Sequence, residues 1–113
     1  MIGAYSFGRI SIGGREYTSD LLLRGREVLP GWWRRQGHGC CLEDILPALE
    51  LEPEIFVLGT GSSGLLRPDR ELEDDLATRG IRLIARPTAE AVEEYNMLLA
   101  RGGRVAAGLH LTC

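Results

Sequence analysis

At 113 residues, with 44% hydrophobic and 26% charged side chains, the chain has the make-up of one globular domain, residues 1–113, around a single core. Its net charge is −3 and every basic residue is Arg, which excludes Schiff-base chemistry and lysine general bases. No apolar run approaches the roughly 20 residues of a membrane helix. The N-terminus also lacks the basic start and long apolar stretch of a secretory signal, so the cytoplasm of a prokaryote is the expected location.

Tyr5 to Ile12 alternates, with Gly interruptions, and predicts a strand that reaches a Gly13-Gly14 hairpin turn and returns as Arg15-Glu16-Tyr17. Leu21-Leu22-Leu23 and Glu27-Val28-Leu29 read as further short strands, the second ending at Pro30-Gly31. Together they suggest a small antiparallel portion. Trp32 and Trp33 then lead into the Gly-rich link Gly37-His38-Gly39.

Periodicity changes after Cys41. Leu42, Ile45, Leu46 and Leu49 repeat at helical spacing, with Glu43 and Asp44 suited to a first turn. Pro47 would lose a hydrogen bond and clash in mid-helix, so a kink or two separate turns are expected there. Ile55 to Leu58 is a continuous apolar strand, the pattern of a sheet covered on both faces. A helix is expected from Pro68-Asp69 to Arg79-Gly80 with Leu72 and Leu76 inward, then a strand Ile81–Ala85. Thr88 is the expected cap of a third helix whose inward stripe is Val92, Tyr95 and Leu99. Arg104 to Leu111 reads as the last strand, with Ala106, Ala107 and Gly108 small enough for a helix to approach closely. The expected fold is therefore a three-layer α/β domain with a mixed sheet: a C-terminal parallel β-α-β-α-β unit and an N-terminal antiparallel β portion.

The residues with chemical potential are scattered. Gly59, Thr60, Gly61, Ser62, Ser63 and Gly64 follow an apolar strand and could bring several backbone N–H groups to one small anion, completed by His38 or His110. The loop lacks the lysine of a nucleotide-binding P-loop, and a tight strand exit alone would also favour small residues. Ser62 or Ser63 with His110, or Cys40 with His38, can be drawn as nucleophile and base, but Gly61-Ser62-Ser63-Gly64-Leu65 misses the nucleophile-elbow pattern. No catalytic set, cofactor or metal is assigned. The odd number of cysteines, Cys40, Cys41 and Cys113, argues against a disulfide framework, and their spacing is not that of a zinc site. The pairs Trp32-Trp33 and Arg34-Arg35 suit a protein interface. They are the one candidate for a nucleic-acid surface, which the acidic balance of the rest disfavours. Asp20 is expected to anchor a turn, and Asn96 to bind a loop backbone.

Taken in order, several pieces resemble a known family. They are Tyr5-Ser6-Phe7-Gly8 with Ile10 and Ile12, Tyr17 and Asp20, Trp32 or Trp33 with His38, and Val57-Leu58-Gly59-Thr60-Gly61. Thr88, Ala91, Tyr95-Asn96 and Arg104 through Cys113 continue the match. The whole chain is thereby similar to the Mth-type small domains, which include mitochondrial complex I assembly factor three and the adipogenesis-associated Mth-type domain protein. The resemblance implies a compact three-layer α/β domain and an association with assembly or regulatory roles, without a known reaction. Gly108 stands where many relatives place Ala, a difference expected to affect packing.

The function expected from all this is a non-enzymatic interaction or assembly-type domain that meets a protein partner or itself through Trp32 and Trp33. The alternative is a protein that binds a small ligand or anion, with or without a reaction, at the Gly59–Gly64 loop.

Overall fold

A computed structural model describes residues 1–113. Three short strands, β1 (Ile2–Ser6), β2 (Arg9–Ile12) and β3 (Arg15–Tyr17), form an antiparallel sheet of their own. The stretch expected as one strand from Tyr5 to Ile12 is thus two. Gly8, at φ +80°, reverses the chain after Phe7, a conformation that a β-carbon disfavours.

The central sheet has five strands in the order β5-β4-β10-β7-β9. They are β4 (Leu21–Arg24), β5 (Glu27–Pro30), β7 (Ile55–Thr60), β9 (Arg82–Arg86) and β10 (Val105–His110). β10, β7 and β9 run parallel, with Ala107 opposite Val57 and Val57 opposite Ile84. β4 joins the other side of β10 antiparallel, Leu22 facing Gly108, and β5 closes that side as a hairpin partner. The antiparallel N-terminal portion is therefore divided: one part forms a separate sheet and the other widens the parallel core.

Three helices follow from the apolar spacing, with shifted boundaries. α1 (Leu42–Ile45) passes into a 3-10 turn, Leu46–Leu49, that carries Pro47 in its first residues, where a missing N–H costs nothing. α2 (Leu72–Thr78) starts later than the Pro68-Asp69 expected. Arg67 and Pro68 instead form β8, which pairs with β6 (Gly39–Cys40). α3 spans Thr88–Ala100, and Pro87, not Thr88, holds the capping position. Asn96 reaches from α3 to β1, where it accepts the Ile2 N–H and donates to the Ile2 carbonyl.

Alternation along the strands makes two cores. Val57, Val105, Ala107 and Leu109 pack with Ala91, Val92 and Tyr95 of α3 and with Ile2, Ile10 and Ile12. Phe56, Leu58 and Ala106 pack on the opposite face with Ile45, Leu49, Leu72 and Leu76. The space beside Gly108 is filled by the indole of Trp32, not by the helix its small size suggested.

Candidate functional site

The site is best built outward from Asp20, which precedes β4. Its carbonyl accepts the Trp32 N–H at 2.9 Å and its Oδ1 accepts the Leu111 N–H at 2.8 Å, so this one residue prolongs the pairing of β4 on both sides. Oδ2 lies 2.7 Å from His110 Nδ1 and 2.9 Å from Arg34 Nη1. A carboxylate accepts only, so His110 Nδ1 must carry the proton, and the 3.4 Å approach of Arg34 Nη2 to that nitrogen is a contact between two donors. Burial pushes the Asp20 carboxyl upward. The hydrogen bonds from His110, the Leu111 N–H and Arg34 outweigh it and hold the pKa below the usual value.

Arg34 and His110 side chains are each 7% exposed and Asp20 18%. Arg34 also donates to the Gly37 carbonyl at 2.8 Å and places its guanidinium carbon 4.6 Å from the Trp32 ring centre. Trp32 Nε1 donates to the Asp44 carbonyl at 2.8 Å, and the Asp44 carboxylate accepts the Cys41 and Arg35 N–H groups. Two buried nitrogens of this network, Arg34 Nε and His110 Nε2, make no hydrogen bond. An unmet buried polar atom costs about 1–3 kcal/mol. The His38 ring stands against His110 at 5.8 Å between centroids and 74° between planes.

The Trp-Trp-Arg-Arg run is divided between core and solvent. Trp32 and Arg34 turn inward, which corrects their expected place on a surface; Trp33 is 75% exposed and Arg35 pairs with Glu43 outside. Trp33 borders a hollow of about 550 Å³ lined by Leu29, Pro30, Leu46 and Pro47 beside the free edge of β5.

Most amides in and just after the Gly59–Gly64 loop are spent on the chain itself. Ser62 N–H donates to the Thr112 carbonyl, Leu65 N–H to the Cys113 carbonyl and Leu66 N–H to Thr60, while Gly61 N–H donates to the Thr88 hydroxyl. Gly61 has φ +102°, and a β-carbon there would lie 2.6 Å from the Cys113 carbonyl carbon. The concavity thus holds the segment Thr112–Cys113. Ser62 and Ser63 are exposed, Thr60 is buried, and Thr60 and His110 are register partners at the carboxyl ends of β7 and β10. Cys40 is buried, its thiol pushed up to about 12 by desolvation with Asp44 adding to it. No group of three His, Cys, Asp or Glu side chains stands close enough to hold a metal ion, and no helix is long and apolar enough to cross a membrane.

The architecture is that of a three-layer α/β domain with a mixed five-stranded sheet. The chain belongs to the family described as "Protein of unknown function (DUF498/DUF598)", whose model matches residues 2–110. Among solved structures it is similar to MT938, at 29% identity and a TM-score of 0.81 over 100% of this chain and 98% of that one. It is also similar to a structure described as an outer membrane protein from Bartonella henselae, at 27% identity and a TM-score of 0.82, covering 99% and 94%. A Bordetella pertussis protein described as a Mth938-like domain shares the fold at 21% identity and a TM-score of 0.75, covering 97% and 84%. These findings establish the Mth-type family that the sequence resembles.

The residue that sequence reasoning underrated is Asp20. The available signal was an acid placed directly before an apolar strand and a histidine closing another apolar strand.

Proposed function

We propose that this chain is a non-enzymatic interaction domain of assembly type, working in the cytoplasm, that docks a protein partner or a second copy of itself on the face around Trp33. The observation that carries the reading is Trp33 itself, 75% exposed while Trp32 and Arg34 on either side are locked into the fold. An aromatic on a rigid mount loses little conformational freedom on docking, and buried Trp residues dominate the energy of many interfaces. Leu46, 39% exposed, together with Pro30 and Pro47 continues the apolar surface, and the paired Arg35 and Glu43 provide a polar rim.

Trp33→Ala tests the reading, because truncating an exposed side chain should change stability by less than about 0.5 kcal/mol. Sedimentation equilibrium of the purified chain and recovery of bound protein from a lysate of its source are compared for the variant and the parent. Loss of association in the variant supports the proposal. Equal mass and equal recovery in both overturn it.

A further inference from the structure

We infer that the Arg34–His110 cluster is a binding site for a small oxyanion, a phosphate or carboxylate group, with His38 as the side chain that yields to admit it. The site is separate from the Trp33 face and stands without it.

The inference begins with the two buried nitrogens that make no hydrogen bond, Arg34 Nε and His110 Nε2. Their natural acceptor, Asp20, has both oxygens engaged elsewhere: by Arg34 Nη1, by His110 Nδ1 and by the Leu111 N–H. Arg34 Nε can only donate. His110 Nδ1 is already committed as a donor to Asp20, so Nε2 carries a proton only in the doubly protonated ring, where it too is a donor. Arg34 Nε, a buried charged donor with no acceptor among the protein's own groups, calls for oxygen lone pairs from outside, and His110 Nε2 adds a second donor when its ring holds both protons. The cluster also stands at the carboxyl ends of β7 and β10, the end of a parallel sheet at which α/β folds place ligands. With the Gly61, Ser62 and Gly64 amides bonded to the chain itself, side chains are left as the main donors here.

Around the cluster stand Asp20 from the start of β4, Arg34 and His38 from the segment after β5, Tyr5 from β1 and Cys40 from β6, with the carboxylates of Asp44 and Asp69 beyond Cys40. Burial raises the Tyr5 hydroxyl and pushes the Cys40 thiol up to about 12, so neither brings charge near neutrality. Asp20 and Arg34 offset each other as a pair. His38 is exposed, flanked by Gly37 and Gly39, and packs edge-on to His110, so its ring swings aside without disturbing the core.

The test is a titration of the whole chain with inorganic phosphate, and separately with acetate. It is followed through the Arg34 Nε–H and His110 ring resonances, from about pH 8 to about pH 5.5, the range in which histidine charges. Saturable shifts at both groups are expected, with affinity rising up to about tenfold per pH unit lowered. The acetate arm separates carboxylate from phosphate recognition. His110→Asn keeps a donor near the position of Nδ1 for Asp20 but removes Nε2, and should weaken binding about tenfold or more. Arg34→Lys, which keeps the charge and loses Nε, should weaken it similarly, whereas Trp33→Ala should leave it unchanged. The inference is overturned if neither anion moves the Arg34 resonance, if His110→Asn binds like the parent, or if zinc alone gives the response.

Discussion

The indole of Trp32 occupies the space that a side chain at Gly108 would need: a β-carbon there would stand 2.7 Å from Cη2 of Trp32 and 3.2 Å from Cζ of Phe56. Trp32 cannot retreat freely, because its Nε1 is tied to the Asp44 carbonyl and Arg34 lies over its ring. Gly108→Ala should therefore lower stability by about 1–3 kcal/mol, the usual range for overpacking a filled core. Urea unfolding would register this as a lower midpoint with an unchanged slope. A second replacement, Trp32→Phe in the Gly108→Ala background, should recover part of the loss, since the smaller ring frees the contested volume.

Asp20 joins three segments through one carboxylate, and its depressed pKa makes that junction sensitive to acid. A carboxyl whose folded pKa lies below its unfolded value, near 3.9, stabilises the fold above that value. The contribution is lost as pH falls through the folded pKa. Asp20→Asn should cost about 3 kcal/mol at neutral pH, because it leaves the buried Arg34 charge without its partner. The difference between variant and parent should narrow progressively below about pH 4. Chemical unfolding at a series of pH values reads both effects; a gap that stays constant down to about pH 2 would separate Asp20 from the acid response.

Much of the architecture was legible because its signals are local. The continuous apolar run Ile55–Leu58, the repeat of Val92 and Tyr95 and the small-residue strand at Ala106 each reflect a period of two or of 3.6 that any such backbone must obey. What escaped depended on neighbours distant in sequence. Gly8 splits a strand by turning the chain, and Arg67 with Pro68 pairs with Gly39 and Cys40 from far earlier in the chain. Thr88 resembles a helix cap by sequence, yet its hydroxyl is taken by Gly61 and His110. The run Trp32-Trp33-Arg34-Arg35 looks like one patch until tertiary contacts divide it: Trp32 and the Arg34 side chain turn in, while Trp33 stays exposed. The Asp20–His110 pair spans 90 positions and left no trace in spacing.

Thiol reactivity should divide the three cysteines. Reaction requires the thiolate, and the Cys40 thiol, buried and pushed up to about 12, supplies almost none near neutrality. Cys41 and Cys113 are partly exposed. Under native conditions a maleimide should modify Cys41 and Cys113 within minutes and leave Cys40 untouched, and in denaturant all should react. Mass spectrometry of digested protein assigns the sites. Rapid native modification of Cys40 would show that β6 opens readily.

Thr88 is the sharpest test of how the parallel strands are held at their carboxyl ends. Its hydroxyl is wholly buried, accepts the Gly61 N–H at 2.8 Å and donates to the His110 carbonyl at 2.6 Å. One side chain of α3 thereby joins the exit of β7 to the last residue of β10. Thr88→Val preserves shape but removes both bonds and strands two buried backbone groups, at a combined cost of about 2–4 kcal/mol. Thr88→Ser keeps the hydroxyl and loses only a methyl, so its cost should be about 1 kcal/mol. The ordering Val worse than Ser distinguishes hydrogen bonding from packing, since packing alone predicts the reverse. Amide exchange should localise the effect: in Thr88→Val the Gly61 amide should lose protection well before those of Phe56 and Val57 in the middle of the sheet.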